Sequence, residues 1–286
     1  MRKIFSENLS QKIMGILNLS PESFSDGGNN RSPEDEVIRF NYLLDSGADL
    51  IDVGAQASGP GSVLLDEEVE AMRVRNFLDV LVLMKGKESL KCVSVDTFRS
   101  SVAALSIERG VGIINDISAL RADKNLGSII AESGVEVVLM YSKENAGFPL
   151  VSDQETVVGP LFSVISRFFE ERIEYALSIG ISGENIILDT GFGAFISSFP
   201  EKSWEIIDNF HLFLDKFSNF RFLTGVSRKS FLGGSLSDRD IHSKLVEMHL
   251  LHLGASIIRT HNVELLRQLL PTWYKLGYAP ISARYL

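Results

Sequence analysis

Residues 221–234 read RFLTGVSRKSFLGG. An apolar run, Phe222 to Val226, ends in two adjacent cations, Arg228 and Lys229, flanked by serines and followed by two glycines. The run is short and bounded by turn residues, which reads as a buried strand. Two fixed positive charges at the end of a buried strand belong to a mouth or a rim, because an unpaired cation inside a core is costly.

The same grammar recurs along the chain. Short β-rich runs stand at Ile13–Leu17, Leu50–Val53, Cys92–Val95, Gly112–Ile114, Val135–Met140, Ile186–Leu188, Phe222–Val226 and Ser256–Ile258. Longer stretches of helical period follow them, among them Pro33–Ser46 with Ser32 as its cap, Glu67–Met84, Val157–Ile179 and Ile241–Leu253. Strand and helix in alternation imply a parallel sheet with right-handed crossovers. Eight such units in 286 residues match a single (β/α)8 TIM barrel in count and size. An open doubly wound sheet is the alternative, but it seldom uses eight strands so evenly. No linker or low-complexity segment interrupts the series, so one domain is expected over 1–286.

Composition bounds the rest. Hydrophobic residues make up 45% and charged residues 23%, as in an ordinary globular protein. The net charge of -9 argues against nucleic acid as a partner, since phosphate binding wants basic stripes. No run approaches the length of a membrane span, and the opening MRKIFSENLSQK lacks the apolar core of a signal peptide. One cysteine, Cys92, excludes an intramolecular disulfide framework and suits a cytoplasmic setting; its place in an apolar run reads as core.

The residue past each strand carries the chemistry. The eight exits hold Asn18, Asp52, Asp96, Asn115 with Asp116, Tyr141, Asp189, Arg228 with Lys229, and Arg259 with His261. In a barrel these positions converge on the C-terminal face, where such enzymes keep their sites. Asp52 reads as a site residue or as a loop cap, and Asp116 as a cap for the next helix. Arg259 and His261, two apart on an extended segment, point the same way and with Lys229 form a cationic corner for a phosphate or diphosphate. Asn18, across the closure from the eighth strand, can add an oxygen ligand for Mg²⁺. Asp96, Asn115 and Asp189 can read the N–H edge of a nitrogen heterocycle. Together they suggest a heterocycle carrying a diphosphate, whose departure leaves a cationic carbon that carboxylates stabilise.

MGILNLSPESFSDGG (14–28), SVDTF (94–98), IIND (113–116), LDTGFG (188–193), GVSRKSFLG (225–233) and IIRTH (257–261) resemble, in order and spacing, the motifs of dihydropteroate synthase. The resemblance covers about 15 to 261. It implies a (β/α)8 barrel that joins 7,8-dihydropterin-6-ylmethyl diphosphate to 4-aminobenzoate with Mg²⁺, as a homodimer. It also implies that Asp96, Asn115, Asp189 and Lys229 hold the pterin, with Met140 on its face, and that Asp96, Asp189 and Lys229 serve the chemistry. Asn18, Arg259 and His261 would hold diphosphate and metal. Ser58, Pro60, Phe195 and Ser230 would line the 4-aminobenzoate side, and segments 19–31 and 54–64 would be closing loops. The leucines Leu250, Leu253, Leu266 and Leu269 of the last two helices are the expected dimer face.

This sequence departs from that pattern. The usual Glu-Ser-Thr-Arg-Pro-Gly is Gln56-Ala57-Ser58-Gly59-Pro60-Gly61, without the loop arginine. Thr190, Ala194 and Phe195 alter the sixth-strand motif, and Tyr141 stands where a histidine is usual. Several of these changes resemble the sulfonamide-insensitive branch of the family, in which an aromatic at the Phe195 position would exclude the drug by shape. Two other readings stay open: a pterin-binding paralogue without activity, and a pterin-binding methyltransferase domain, which the basic Ser227–Ser230 corner disfavours.

Overall fold

In the computed structural model, eight parallel strands pair in chain order and close into a barrel, β1 joining both β2 and β8. The structure describes residues 11–19, 32–56, 64–143 and 159–280. The strands are β1 (Lys12–Asn18), β2 (Leu50–Gly54), β3 (Val93–Asp96), β4 (Ile113–Asp116), β5 (Glu136–Met140), β6 (Ile186–Asp189), β7 (Arg221–Thr224) and β8 (Ile257–Thr260). Each of the eight expected runs overlaps one of them, with ends that differ by at most two residues. The helices are α1 (Pro33–Asp45), α2 (Glu67–Lys85), α3 (Ser100–Arg109), α4 (Leu126–Ser133), α5 (Leu161–Ser178), α6 (Pro200–Asp208), α7 (Phe210–Lys216), α8 (Leu236–Leu253) and α9 (Val263–Lys275).

Local chemistry sets the helix starts. Ser32 caps α1 through a reciprocal pair with Asp35, as its position suggests. The same device at Ser235 and Asp238 starts α8 at Leu236, five residues before the point that apolar period alone indicates. Polar residues in the first turn hid that start. Gly191 has a structural reason at the β6 exit. Its φ is +68°, and a Cβ there would lie 2.4 Å from the Tyr141 carbonyl oxygen.

The barrel interior is apolar at one end and polar at the other. Met14, Leu50, Ile113, Val138, Ile187, Leu223 and Ile257 form one buried cluster, with Cys92 packed against it. Two residues further along each strand stand Ile16, Asp52, Asn115, Met140, Asp189, Gly225, Arg259 and, after Cys92, Ser94. Strand alternation returns every second residue to the same face, so these form the next layer up. The intervening residues, such as Leu17, Val53, Val95, Ile114, Leu139, Leu188, Phe222 and Ile258, pack outward under the helices. Phe169 is the hub of that outer core, edge-on to Phe213, Phe217 and Phe222. The phenylalanines of α5 and α7 are therefore core.

One expectation fails here. Leu250 and Leu266 are fully buried in the outer core, and Leu253 and Leu269 pack against it. The helical stripe that looked like a dimer face is the stripe that binds α8 and α9 to their own barrel. What α8 exposes instead is Leu236, Ile241 and Leu245.

Candidate active site

Asp52 is the centre of the polar layer. It is fully buried and accepts from Ser94 Oγ at 2.6 Å, Asn115 Nδ2 at 3.0 Å and Arg259 Nε at 2.6 Å. Arg259 also donates to Asp96 Oδ2 at 3.1 Å. Four strands, β2, β3, β4 and β8, are thus tied across the barrel by one carboxylate and one guanidinium. Asp52 is no loop cap. Its signal in the sequence was a carboxylate two residues after Leu50, on the inward face of an otherwise apolar strand.

Asp96 stands at the end of β3. Burial pushes its carboxyl up to about 7 and the Asp52 charge adds to this, while Arg259 opposes both. Asp189, at the end of β6, is raised by burial to about 6 against the Gly191 N–H and the charges of Lys229 and Arg259. The Gly191 N–H donates to Asp189 Oδ1 at 2.8 Å. Lys229 reaches over from β7. Its Nζ donates to the Phe192 carbonyl oxygen at 3.0 Å and lies 4.6 Å from the centre of the Phe195 ring. Burial lowers its ammonium to about 8, with Asp189 resisting. Met140 clusters with Ile117 and Phe195, and Phe98 packs alongside. The result is an apolar surface ringed by two carboxyls, a carboxamide and a lysine, which suits a flat, polar-edged ligand.

The lip between β1, β8 and α1 is a second region. A cavity of ≈ 680 Å³ opens there, with Asn18, Arg228, His261 and Asn262 on the barrel side and Arg39 and Tyr42 on the α1 side. The expected corner of three cations does not form. Burial, with Arg228 and Arg259 nearby, holds His261 at about 3, so its ring is neutral. Its Nδ1 lies 2.9 Å from Ser227 Oγ, which also accepts from the His261 backbone N–H at 3.1 Å. Arg259 is paired with Asp52 and Asp96. Arg228 and Lys229, adjacent in sequence, part company. Arg228 takes a left-handed φ of 60°, rare for a residue with a side chain, and pairs with Asp240 at 3.1 Å. Two fixed charges of opposite neighbourhood are thereby placed at the mouth by one backbone turn.

The remaining expectations fall unevenly. Asp116 serves its own loop, accepting from the backbone N–H of Ser118 and Leu120 and from the Ser118 hydroxyl; it does not cap α4. Phe195 is buried under Lys229, and Ser230 is exposed at the start of a short 3-10 turn. Ser58 and Pro60 lie outside the described residues, as do Gly59 and most of both expected closing loops. Among the described residues, no group of three or more His, Cys, Asp or Glu is placed to hold a metal. No helix among them is long and apolar enough to cross a membrane.

A family described as pterin binding enzyme matches residues 14–261 of this chain. The type-3 dihydropteroate synthase of Escherichia coli is 35% identical over 271 residues, covering 93% of this chain and 99% of that protein. The structure of the Xanthomonas albilineans dihydropteroate synthase with 4-aminobenzoic acid superposes with a TM-score of 0.82 at 29% identity, over 95% of this chain and 94% of that one. The same enzyme in complex with 7,8-dihydropteroate superposes with a TM-score of 0.78 at 28% identity, over 95% of each chain. The chain belongs to the dihydropteroate synthase family.

Proposed function

We infer that this chain condenses 7,8-dihydropterin-6-ylmethyl diphosphate with 4-aminobenzoate, giving dihydropteroate and diphosphate. The observation that carries this is the polar layer itself: Asp96, Asn115, Asp189 and Lys229 around Met140, beside a lip suited to an anion.

In this reading Asn115, Asp189 and Lys229 hold the pterin edge, and Met140 packs on its face. Asp96 and Asp189, near their midpoints at neutral pH, can accept or share the heterocycle's protons. The C–O bond between the pterin methylene and the diphosphate breaks, and the electron pair leaves with the diphosphate. The amine nitrogen of 4-aminobenzoate attacks the methylene carbon and then loses a proton. Buried carboxylates stabilise the carbon while it is cationic. Arg259 and Arg228 face the leaving anion, and the neutral His261 serves it as a hydrogen-bond donor.

Mg²⁺ fits this lip if the ligand brings it. Asn18 offers one neutral carboxamide, and Mg²⁺ keeps waters and takes substrate phosphates readily. When bound, the ion would neutralise charge on the diphosphate. The chain would work as a homodimer, and Ile241 and Leu245, one turn apart on the outside of α8, would be covered by the second copy; sedimentation velocity of the Ile241→Glu variant tests this.

Phe195 supports the sulfonamide-insensitive reading. Its ring is anchored by Lys229 and Met140, so it is a fixed wall. A flat carboxylate would pass where a substituted sulfonyl group clashes. A steric cost of ~3–4 kcal/mol weakens a drug several hundred-fold. Normal use of 4-aminobenzoate with poor inhibition by sulfamethoxazole is expected, and Phe195→Gly with Ala194→Phe should restore inhibition.

The decisive experiment is diphosphate release with and without 4-aminobenzoate. Release that depends on 4-aminobenzoate and Mg²⁺ is expected. Tight pterin binding with no release under any metal condition would leave a pterin-binding paralogue, which the missing loop arginine makes the competing reading.

A further inference from the structure

Behind β8, away from the barrel interior, α8 buries a lysine and a glutamate almost entirely: Lys244 is 1% exposed and Glu247 0%. Lys244 Nζ donates to Glu247 Oε2 at 2.8 Å and to Thr260 Oγ1, and the Thr260 hydroxyl donates to Glu247 Oε1 at 3.0 Å. The three groups close a ring of hydrogen bonds beside the core residues Val246, Leu250 and Leu251. An ion pair taken wholly out of water is expensive, and well-packed apolar residues often stabilise as much or more. None of the three lines the cavity at the lip. Their cost therefore asks what they hold in place.

Thr260 sits between Arg259 and His261. On an extended segment its side chain points opposite to theirs. Gripping Thr260 from behind therefore fixes the pleat that aims Arg259 at Asp52 and brings His261 to the lip. The grip continues along the helix. Asp240, one turn before Lys244, accepts from Arg228 Nε at 3.1 Å and from Asn262 Nδ2 at 2.9 Å. Asn262 in turn caps α9 through the Leu265 N–H. One face of α8 thus holds the exits of β7 and β8 at three points: Arg228, Thr260 and Asn262.

We propose that the Asp240–Lys244–Glu247 face of α8 is a positioning device for the anion side of the site, acting through Thr260 and Arg228 on Arg259 and His261. This rests on the reading of that lip as the diphosphate site. It predicts a selective defect. Loss of the grip should weaken diphosphate binding most, and change far less the pterin side, which meets it only through the Arg259 bond to Asp96 and the β7 exit.

The test is calorimetric titration of the full chain with inorganic diphosphate and Mg²⁺ and, separately, with 6-hydroxymethylpterin. Thr260→Val keeps the shape, removes the hydroxyl and leaves Lys244 paired with Glu247. It should weaken diphosphate roughly tenfold, because Arg259 and His261 lose the two hydrogen bonds that fix the residue between them, with pterin affinity held within about twofold. Thr260→Ser should restore it. If Thr260→Val does not fold, Lys244→Met with Glu247→Leu removes the charges as a pair and carries the same expectation. Diphosphate bound as by the parent, or both ligands lost equally, overturns the proposal, since a purely structural triad would shift only the melting temperature. A parent chain that binds neither ligand refutes the underlying functional reading instead, and this inference with it.

Discussion

The same eight strands line the barrel twice. The lower layer is Met14, Leu50, Ile113, Val138, Ile187, Leu223 and Ile257, packed as a dry plug. One pleat higher, the layer changes to Asp52, Ser94, Asn115, Asp189 and Arg259, with Met140 left as the apolar face. Both layers are buried, and both are assembled by the two-residue period of a strand. They differ in what burial does. Below, removal from water is the stabilising force. Above, it costs free energy and raises the Asp189 carboxyl to about 6. The plug makes the barrel hold, and the layer on it is poised for a ligand to complete.

The largest effect should come from breaking the plug. Leu223→Ala removes a fully buried side chain and should cost about 3 kcal/mol of stability. Denaturant melts would show it, while folded protein retains pterin affinity. A loss of affinity without a loss of stability would mean the two layers are not separable.

Next comes a change above the plug. Lys229→Ala should lower pterin affinity roughly ten- to a hundred-fold, one charge-assisted hydrogen bond. The melting temperature of the free protein should not fall, because a buried ammonium held at about 8 is a burden to the fold. Calorimetry and thermal melts on the same samples check both halves.

The electrostatic burden can be read through pH. Asp96 stands at about 7 folded and near 3.9 when unfolded. The folded chain binds that proton more tightly, so the contribution is full below about pH 4 and is lost as pH rises through 7. His261 runs the other way. It is held at about 3 against 6.5, so its contribution grows with pH across that window. Asp96→Asn removes only the first. The variant should melt higher than the parent, and by more at pH 7.5 than at pH 5. A constant difference would show that Asp96 is ionised throughout.

The smallest effect tests the seam between the layers and the outer core. The Thr190 hydroxyl is fully buried and has no hydrogen-bond partner among the described residues. Thr190→Val should raise stability by up to about 1 kcal/mol with turnover unchanged, measured by melts and by diphosphate release.

Much of this was legible in the sequence, for physical reasons. Each strand is a short, largely apolar run because both its faces are buried, and its polar residues gather toward its C-terminal end. That rule marks all eight strands and brings Asp96, Asn115, Asp189 and Lys229 to one face of the barrel. It fails for side chains whose direction depends on a single dihedral or on a distant partner. Arg228 and Lys229 are adjacent and alike in type, yet φ at Arg228 sends one to Asp240 and the other to Phe192. Leu250 and Leu266 carry an apolar stripe that serves a barrel or a partner equally well in sequence; their burial decides for the barrel.

The amino-acid order by itself determined the strand count, the parallel closure and the chemical types gathered at the mouth, because hydrophobic period and turn chemistry act over a few residues. Only the tertiary structure decided charge. His261 is neutral, Arg259 is shared between Asp52 and Asp96, and Lys244 is turned to Thr260, each through neighbours 16 to 207 residues away in the chain or through burial that no local pattern records. Ionisation depends on distance and dielectric in three dimensions, and neither is written in the spacing of a strand.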